Sequence, residues 1–273
     1  MAITRRTALK TLGAAGVGAV SGAGSYGYLY GRHELEVTRT ALAVKGLPSA
    51  LVNLRIGLLT DVHRGWFVPH EDVTRAVDAM MREKPDLIVL GGDYVTWGNR
   101  EFVRPAADAL APLSAPHGVF GILGNHDDDH AMPLALAKNG VQILKDARTR
   151  IIIRGESIDL IGIRFWTRRA HDIASIAHGS LACSILLAHD PRRLVEAAAL
   201  GIPLVLSGHT HGGQVVLPVV GAIAAAKFPV AAGIARRSDS VMFVSRGIGT
   251  IYVPVRINCP PEVAILTLQR AAA

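Results

Sequence analysis

Arg55-Ile56-Gly57-Leu58-Leu59-Thr60-Asp61-Val62-His63 is the stretch that decides the fold. An apolar run too short for a helix and too continuous for a half-exposed strand ends in an acid and a histidine two residues apart. That pattern describes a strand buried on both faces that delivers polar groups at its carboxyl end. Four further runs repeat it. Asp86–Gly91 leads into Gly92-Asp93, Gly118–Leu123 into Gly124-Asn125-His126-Asp127, Ser184–Ala188 into His189-Asp190, and Ile202–Ser207 into Gly208-His209-Thr210-His211. Amphipathic helical stretches at 71–82, 102–113, 132–139 and 191–199 lie between several of these runs, and buried strands alternating with helices predict an α/β layer architecture. Arg150–Arg154 and Ser157–Ile163, joined around Gly155-Glu156, predict a hairpin. Ser240–Ser245 and Glu262–Leu268 predict further strands, making the C-terminal half richer in antiparallel pairing.

In an open α/β sheet, ligands bind beyond the carboxyl ends of the strands, so five polar clusters at five strand exits can converge on one site. Taken singly, an Asp-x-His, a Gly-Asp or an Asn-His-Asp reads as a turn or a helix N-cap. Their joint occurrence, each on a strand exit, makes coincidence a poor account. Carboxylates, an amide oxygen and imidazoles form a mixed oxygen and nitrogen shell that suits Mn, Fe, Zn or Co. The candidate ligands Asp61, His63, Asp93, Asn125, His189, His209 and His211 oversupply a single ion that must keep a position open for substrate. Two divalent ions sharing a carboxylate use them comfortably, and such pairs, about 3.5–4 Å apart, serve in-line phosphoryl displacement. Two residues apart at an extended strand exit, the side chains of Asp61 and His63, and of His209 and His211, can point the same way.

The set resembles the calcineurin-like metallophosphoesterases, whose pattern runs D-x-H, G-D, G-N-H-D/E, a lone His, and G-H-x-H. The resemblance covers about residues 50–270 and implies a four-layer αββα sandwich with a dinuclear site at one sheet edge. It implies that Asp61, His63, Asp93 and His211 hold one ion and Asp93, Asn125, His189 and His209 the other, with Asp93 bridging. It further implies that a hydroxide bridging the ions attacks phosphorus in line, that His126 stabilises the phosphoryl oxygens or assists the leaving group, and that Asp127 holds the His126 ring. Thr96 departs from the family, many of whose members have Asp or Asn at that position.

Thr4–Lys10 precedes a stretch from Thr11 to Gly31 that carries no charge. The layout is that of a targeting segment, and Arg5-Arg6 resembles a twin-arginine export signal, with Ala8 where Phe is more usual. An ordinary secretory signal or an N-terminal membrane anchor is the alternative. The expected organisation is therefore a leader or anchor over 1–31 and one phosphoesterase domain over 32–273, exported to the periplasmic or extracellular face by the twin-arginine machinery. Leu187–Pro191 (LAHDP), Gly208–Gln214 (GHTHGGQ) and Cys259–Glu262 (CPPE) strengthen the likeness to an exported bacterial phosphodiesterase branch. Some relatives of that branch resemble hydrolases of the UDP-2,3-diacylglucosamine pyrophosphate, a cytoplasmic nucleotide that an exported enzyme would not meet unless an anchor kept its domain inside. The substrate class is thus a phosphate ester, lipid-linked in that alternative, and a non-catalytic metal-binding scaffold is the reading from another class.

Composition agrees. At 273 residues, with 50% hydrophobic and 19% charged residues, the chain is long and apolar enough for a full core, which excludes overall disorder. Of the net charge of +7, Arg5, Arg6 and Lys10 supply three, and no basic stripe interleaved with aromatics supports specific nucleic-acid binding. Gly22–Gly27 fits a dinucleotide fingerprint by letter but follows no strand, and no P-loop is present. Cys183 and Cys259 stand alone. Arg64 reads equally as a phosphate contact or a surface residue, and Trp66 and Phe67 read as core, with a lipid or base pocket as the alternative. The other histidines, His33, His70, His117, His130, His171 and His178, lack a strand-exit setting.

Overall fold

The computed structural model describes residues 4–271. Among the described residues, twelve strands form two six-stranded sheets. The first contains β1 (Glu36–Val44), β2 (Arg55–Leu59), β3 (Leu87–Leu90), β4 (Val119–Gly121), β5 (Val141–Ile143) and β12 (Glu262–Arg270), in the order β1-β12-β2-β3-β4-β5. The second contains β6 (Ala147–Ile153), β7 (Glu156–Ile163), β8 (Ser184–Ala188), β9 (Leu204–Ser207), β10 (Gly233–Arg237) and β11 (Ser240–Val244), in the order β10-β11-β9-β8-β7-β6. Strands β2 to β5 run parallel, as do β7, β8, β9 and β11. The antiparallel pairs are β6 with β7, β10 with β11 and β12 with β2, so each involves the C-terminal half, as expected.

Period-2 geometry divides each apolar run between two cores. Ile56 and Leu58 of β2, Leu87 and Val89 of β3, Ile185 and Leu187 of β8, and Leu204 and Leu206 of β9 meet between the sheets. Their neighbours face outward: Leu59, Ile88 and Leu90 onto α2 (His70–Glu83), α3 (Val103–Leu110) and α4 (Ala131–Lys138), and Leu186, Ala188 and Val205 onto α5 (Ala170–Ala177) and α6 (Leu194–Ala199). The four-layer αββα arrangement follows, because a strand apolar on both sides requires a layer on each. Helix α2 shows how the sequence sets an outer element. Glu71 and Asp72 complement its N-terminal dipole, Val73, Ala76, Val77 and Met80 form the buried stripe, and Lys84 stops it in a left-handed conformation at φ 49° just before Pro85.

Four elements differ from expectation. β1 alternates polar and apolar residues at the sheet edge, so it lacks the continuous run that marks the central strands. β5 and β10 are short or mostly exposed, and α5 has only Ile173 and Ala177 to mark its buried face. The hairpin turn falls on Arg154-Gly155, where φ is 53° and 83°, one residue before the expected pair.

The segment expected to be a leader forms an additional helix, α1 (Arg5–Leu29), placed here first in the chain, in which Gly27 alone is buried. Thr4 Oγ1 caps it by accepting from Thr7 N–H at 3.2 Å. Its end rests on the domain: Arg256 N–H donates to Gly27 O at 3.2 Å, and Arg32 donates to Tyr28 O at 2.6 Å and Phe67 O at 2.8 Å. Among the described residues, no helix is long and apolar enough to cross a membrane.

Candidate metal centre

Strands β2, β3 and β4 of one sheet and β8 and β9 of the other open onto one place. Asp61, from the first sheet, lies 3.3 Å from His211 Nε2 and 3.8 Å from His189 Nε2, both from the second. Asp61, His63 and His211 offer their ligand atoms as one group, and Asp93, His189 and His209 as another. Asp93 Oδ2 stands between them, 3.5 Å from His63 Nε2 and 3.1 Å from His189 Nε2.

The backbone is bent to aim these groups. Asp61, His63, Asp93, His209 and His211 all have positive φ, between 48° and 72°. Non-glycine residues seldom adopt that region, and each costs on the order of 1 kcal/mol or more, which the packed strands beneath must offset. Two glycines make room. A Cβ at Gly124 would enter the Asp93 carboxylate, and one at Gly208 would enter Thr60 Oγ1 and Asp61 Oδ2. This is the physical need behind the glycine that opens Gly124-Asn125-His126 and the one that opens Gly208-His209.

Hydrogen bonds set which ring nitrogen faces inward. His189 Nδ1 donates to Gly91 O at 2.8 Å and His211 Nδ1 to Gly249 O at 3.3 Å, leaving both Nε2 atoms toward the carboxylates. Thr96, the departure from the family pattern, places Oγ1 3.2 Å from His63 Nδ1. Asp61 accepts from His209 N–H at 3.0 Å and Thr60 Oγ1 at 2.7 Å, and Asp93 Oδ1 accepts from His126 N–H at 2.8 Å.

The electrostatics show mutual stabilisation. Burial pushes the Asp61 carboxyl up, but His211, His189 and His63 outweigh it and hold it well below the carboxylate range. Asp93 is lowered in the same way, burial losing to His189 and His63. Burial presses His63 down to about 3 and His209 down to about 4, so both rings are neutral. For His189 burial loses to Asp93 and Asp61, which raise it to about 10. Two carboxylates and four imidazoles are thus buried together in surroundings that favour positive charge between them, which a divalent cation can supply.

The residues fit such cations. Asn125 Oδ1 and His189 Nε2 are buried without a hydrogen-bond partner, an expensive arrangement unless a positive centre satisfies them. The donor set is oxygen and imidazole nitrogen throughout, which matches Mn, Fe or Zn. All seven expected ligands border this centre or its strand exits, whereas His33, His70, His117, His130, His171 and His178 are exposed or half-buried elsewhere.

Several expectations change. Asp127 does not hold the His126 ring. Its carboxylate accepts from the backbone N–H groups of Asp93 (2.8 Å), Tyr94 (2.7 Å) and Gly124 (2.8 Å), tying two ligand-bearing turns together. Burial and Asp93 push its carboxyl up to about 7 against the pull of those donors. The His126 ring is held instead by Trp97, whose backbone N–H donates to Nδ1 at 3.1 Å. Arg64 donates to Gly65 O (2.7 Å) and Val68 O (2.9 Å), a loop-holding role that neither expectation contained. Trp66 and Phe67 are 78% and 56% exposed, so the core reading fails and the pocket reading stays.

Arg256 was not anticipated. It is 1% exposed, and its guanidinium donates to Arg246 O (2.7 Å), Gly247 O (3.2 Å), Gly249 O (2.6 Å), Cys259 O (3.0 Å) and His211 O (3.4 Å). Gly249 O is also the acceptor that orients His211. A single Arg in a loop carries no sequence signal for this; the following Cys259-Pro260-Pro261-Glu262 string is the nearest marker.

The calcineurin-like phosphoesterase pattern matches residues 54–213, which contains every one of the seven expected ligand positions. The chain belongs to the calcineurin-like phosphoesterases. It is 31% identical to the phosphodiesterase YaeI of Escherichia coli over 78% of this chain and 82% of that one. It is 28% identical to the metallophosphoesterase YkuE of Bacillus subtilis over 98% of both chains. Among solved structures, NadN, the NAD nucleotidase of Haemophilus influenzae, shares the fold: TM-score 0.52 at 14% identity, over 71% of this chain and 50% of that one. Family and site together make this calcineurin-like phosphoesterase a metal-dependent hydrolase of phosphoric esters.

Proposed function

We propose that the enzyme hydrolyses phosphodiesters with two divalent ions, Asp61, His63, Asp93 and His211 holding one and Asp93, Asn125, His189 and His209 the other. The observation that carries this reading is Asp93 Oδ2, placed 3.5 Å and 3.1 Å from histidines of the two groups. When bound, the ions would supply activated water and Lewis-acid neutralisation of the phosphoryl oxygens. The protein's part is orientation. Because His126 Nδ1 accepts the Trp97 N–H, the neutral ring carries its proton on Nε2, a donor for a phosphoryl or leaving-group oxygen. Asp127 keeps the Asp93 and Gly124 turns in register, so that Asp93 and Asn125 hold their aim. The likeness to a phosphodiesterase across most of the chain supports the diester over the monoester.

The proposal extends to location. The Arg5-Arg6 pair, the uncharged stretch behind it and the exposure of nearly all of α1 support a twin-arginine export leader over a packed structural element.

Protein reconstituted with Mn²⁺ is tested against bis-p-nitrophenyl phosphate, p-nitrophenyl phosphate and nucleotide-diphosphate lipids. The diester is the expected best substrate; preference for a pyrophosphate bond moves the assignment to the UDP-2,3-diacylglucosamine class. His126→Ala should keep its metal and lose about 10²–10⁴-fold in turnover. Failure of the metal-loaded protein to cleave any of the panel would favour a non-catalytic scaffold.

A further inference from the structure

The cavity beside the metal centre has a character the ligand set does not explain. It measures about 200 Å³ and is walled by His63, Trp66, Trp97, Phe102 and Tyr252, among others. One wall belongs to the centre itself, through His63. Another is the ring of Trp97, whose centroid lies 4.5 Å from that of His126; the backbone N–H of the same residue orients His126. Whatever fills the cavity therefore adjoins the reacting phosphate. Around the opening, Trp66, Trp97 and Tyr252 are 78%, 65% and 76% exposed, and Phe67 is 56% exposed. Large apolar side chains gathered around one mouth mark a binding surface, since scattered surface hydrophobics do not cluster this way.

The lining distinguishes between apolar occupants. A nucleobase needs parallel ring faces and free hydrogen-bonding edges. Neighbouring rings here cross at 82° (Trp66 with Phe102) and 67° (Trp97 with Tyr252), so neither pair forms a parallel-sided slot. Three polar groups nearest the centre are engaged within the protein: Thr96 Oγ1 with His63 Nδ1, Asn99 Oδ1 with Glu101 N–H, and the Arg64 guanidinium with the carbonyls of Gly65 and Val68. Arg64 Nε is buried without a partner. An unpatterned apolar surface of this kind accepts a flexible chain.

We propose that the cavity binds an alkyl or acyl chain on one ester arm of the phosphodiester, so that the substrate is lipid-like. This rests on the phosphodiesterase reading above. The test uses p-nitrophenyl phosphodiesters whose second ester arm is methyl, butyl, hexyl or octyl, kept below their micelle concentrations, with the Mn²⁺-loaded full chain. The leaving group is constant, so only burial of the arm changes. kcat/KM is expected to rise about two- to fourfold per methylene until the cavity is filled. Trp66→Ala and Tyr252→Ala should lower the octyl-to-methyl ratio at least tenfold; both residues are exposed, and circular dichroism verifies their folding. A second readout needs no turnover: tryptophan fluorescence of the protein titrated with octylphosphonate and methylphosphonate should show tighter binding of the octyl compound. A flat chain series with normal methyl-ester turnover overturns the cavity assignment and leaves the phosphodiesterase reading intact. No cleavage of any diester overturns the phosphodiesterase reading and the substrate class with it, and equal affinity for the two phosphonates then overturns the chain-binding cavity as well.

Discussion

Replacing Arg256 with Met tests whether one buried guanidinium holds the metal-bearing loops together. Its five acceptors are carbonyl oxygens of Arg246, Gly247, Gly249, His211 and Cys259, and the side chain is wholly enclosed. Hydrogen bonds from a charged donor contribute about 1.5–3 kcal/mol each, but bonds in one network do not add, and water will reach some of the freed carbonyls. A net loss of about 4 kcal/mol is the result expected for three acceptors left poorly satisfied. That is a large part of a typical stability of about 5–15 kcal/mol, so the variant should still fold but melt early. At about 2–4 °C per kcal/mol for a domain of 150–250 residues, the Tm falls by about 8–16 °C. Arg256→Lys, with three donors in place of five, should fall between the two. The loss should also reach the metal, because Gly249 O takes both the Arg256 N–H and His211 Nδ1–H. Outer-shell losses of this kind weaken metal binding about 10–100-fold. Thermal unfolding by circular dichroism and Mn²⁺ titration by calorimetry measure the two effects. An Arg256→Met variant with wild-type Tm and wild-type Mn²⁺ affinity would refute the reasoning.

Other consequences are equally direct. Asp159 accepts from Arg150 (2.8 Å) and Leu181 N–H (2.8 Å), and the Arg150 bond, acting against burial, holds its carboxyl below the ordinary range. A depressed folded value gives stability that is present above the unfolded pKa of about 3.9 and is lost as the pH falls through the folded value. Asp159→Asn should therefore destabilise by about 1–3 kcal/mol at pH 7, with the gap closing in acid, as urea titrations at pH 7 and pH 3 would show; a gap independent of pH contradicts the ion-pair account. His189, raised to about 10, carries a proton in the metal-free protein that a cation must displace. Mn²⁺ affinity should rise with pH between 6 and 9, and calorimetry in buffers of different ionisation heat should detect about one proton released; identical heats would exclude it. Gly208→Ala drives a methyl group toward Thr60 and Asp61 and should cost about 1–3 kcal/mol together with bound metal, checked by elemental analysis. Arg5→Lys with Arg6→Lys should hold the protein in the cytoplasmic fraction, and undiminished export would remove the twin-arginine reading.

The chemistry of the centre was readable from residue order because a strand buried on both faces is a continuous apolar run, and its end is marked by the first polar residue. Each of the five runs stops where a ligand begins, so fold and ligands were read from the same letters. Edge strands such as β1 were illegible for the converse reason: Thr38, Arg39 and Thr40 stand in a strand whose outer face meets water. The role that the family resemblance implied for Asp127 does not hold, because side chains of consecutive residues diverge and its carboxylate turns to the backbone of residues 93, 94 and 124.

By itself, then, the sequence determined the α/β layering, the seven candidate ligands and membership of the phosphoesterase family, all of which depend on local runs and their ends. Only the tertiary structure decided how those ligands face one another, which groups hold them and what lies beside them. Asp93 Oδ2 between His63 and His189, Trp97 on His126, Arg256 under the His211 loop and the aromatic cavity each join residues from distant parts of the chain. Such contacts depend on the packing of two sheets and on positive-φ turns that the packing sustains, and no spacing along the sequence encodes them.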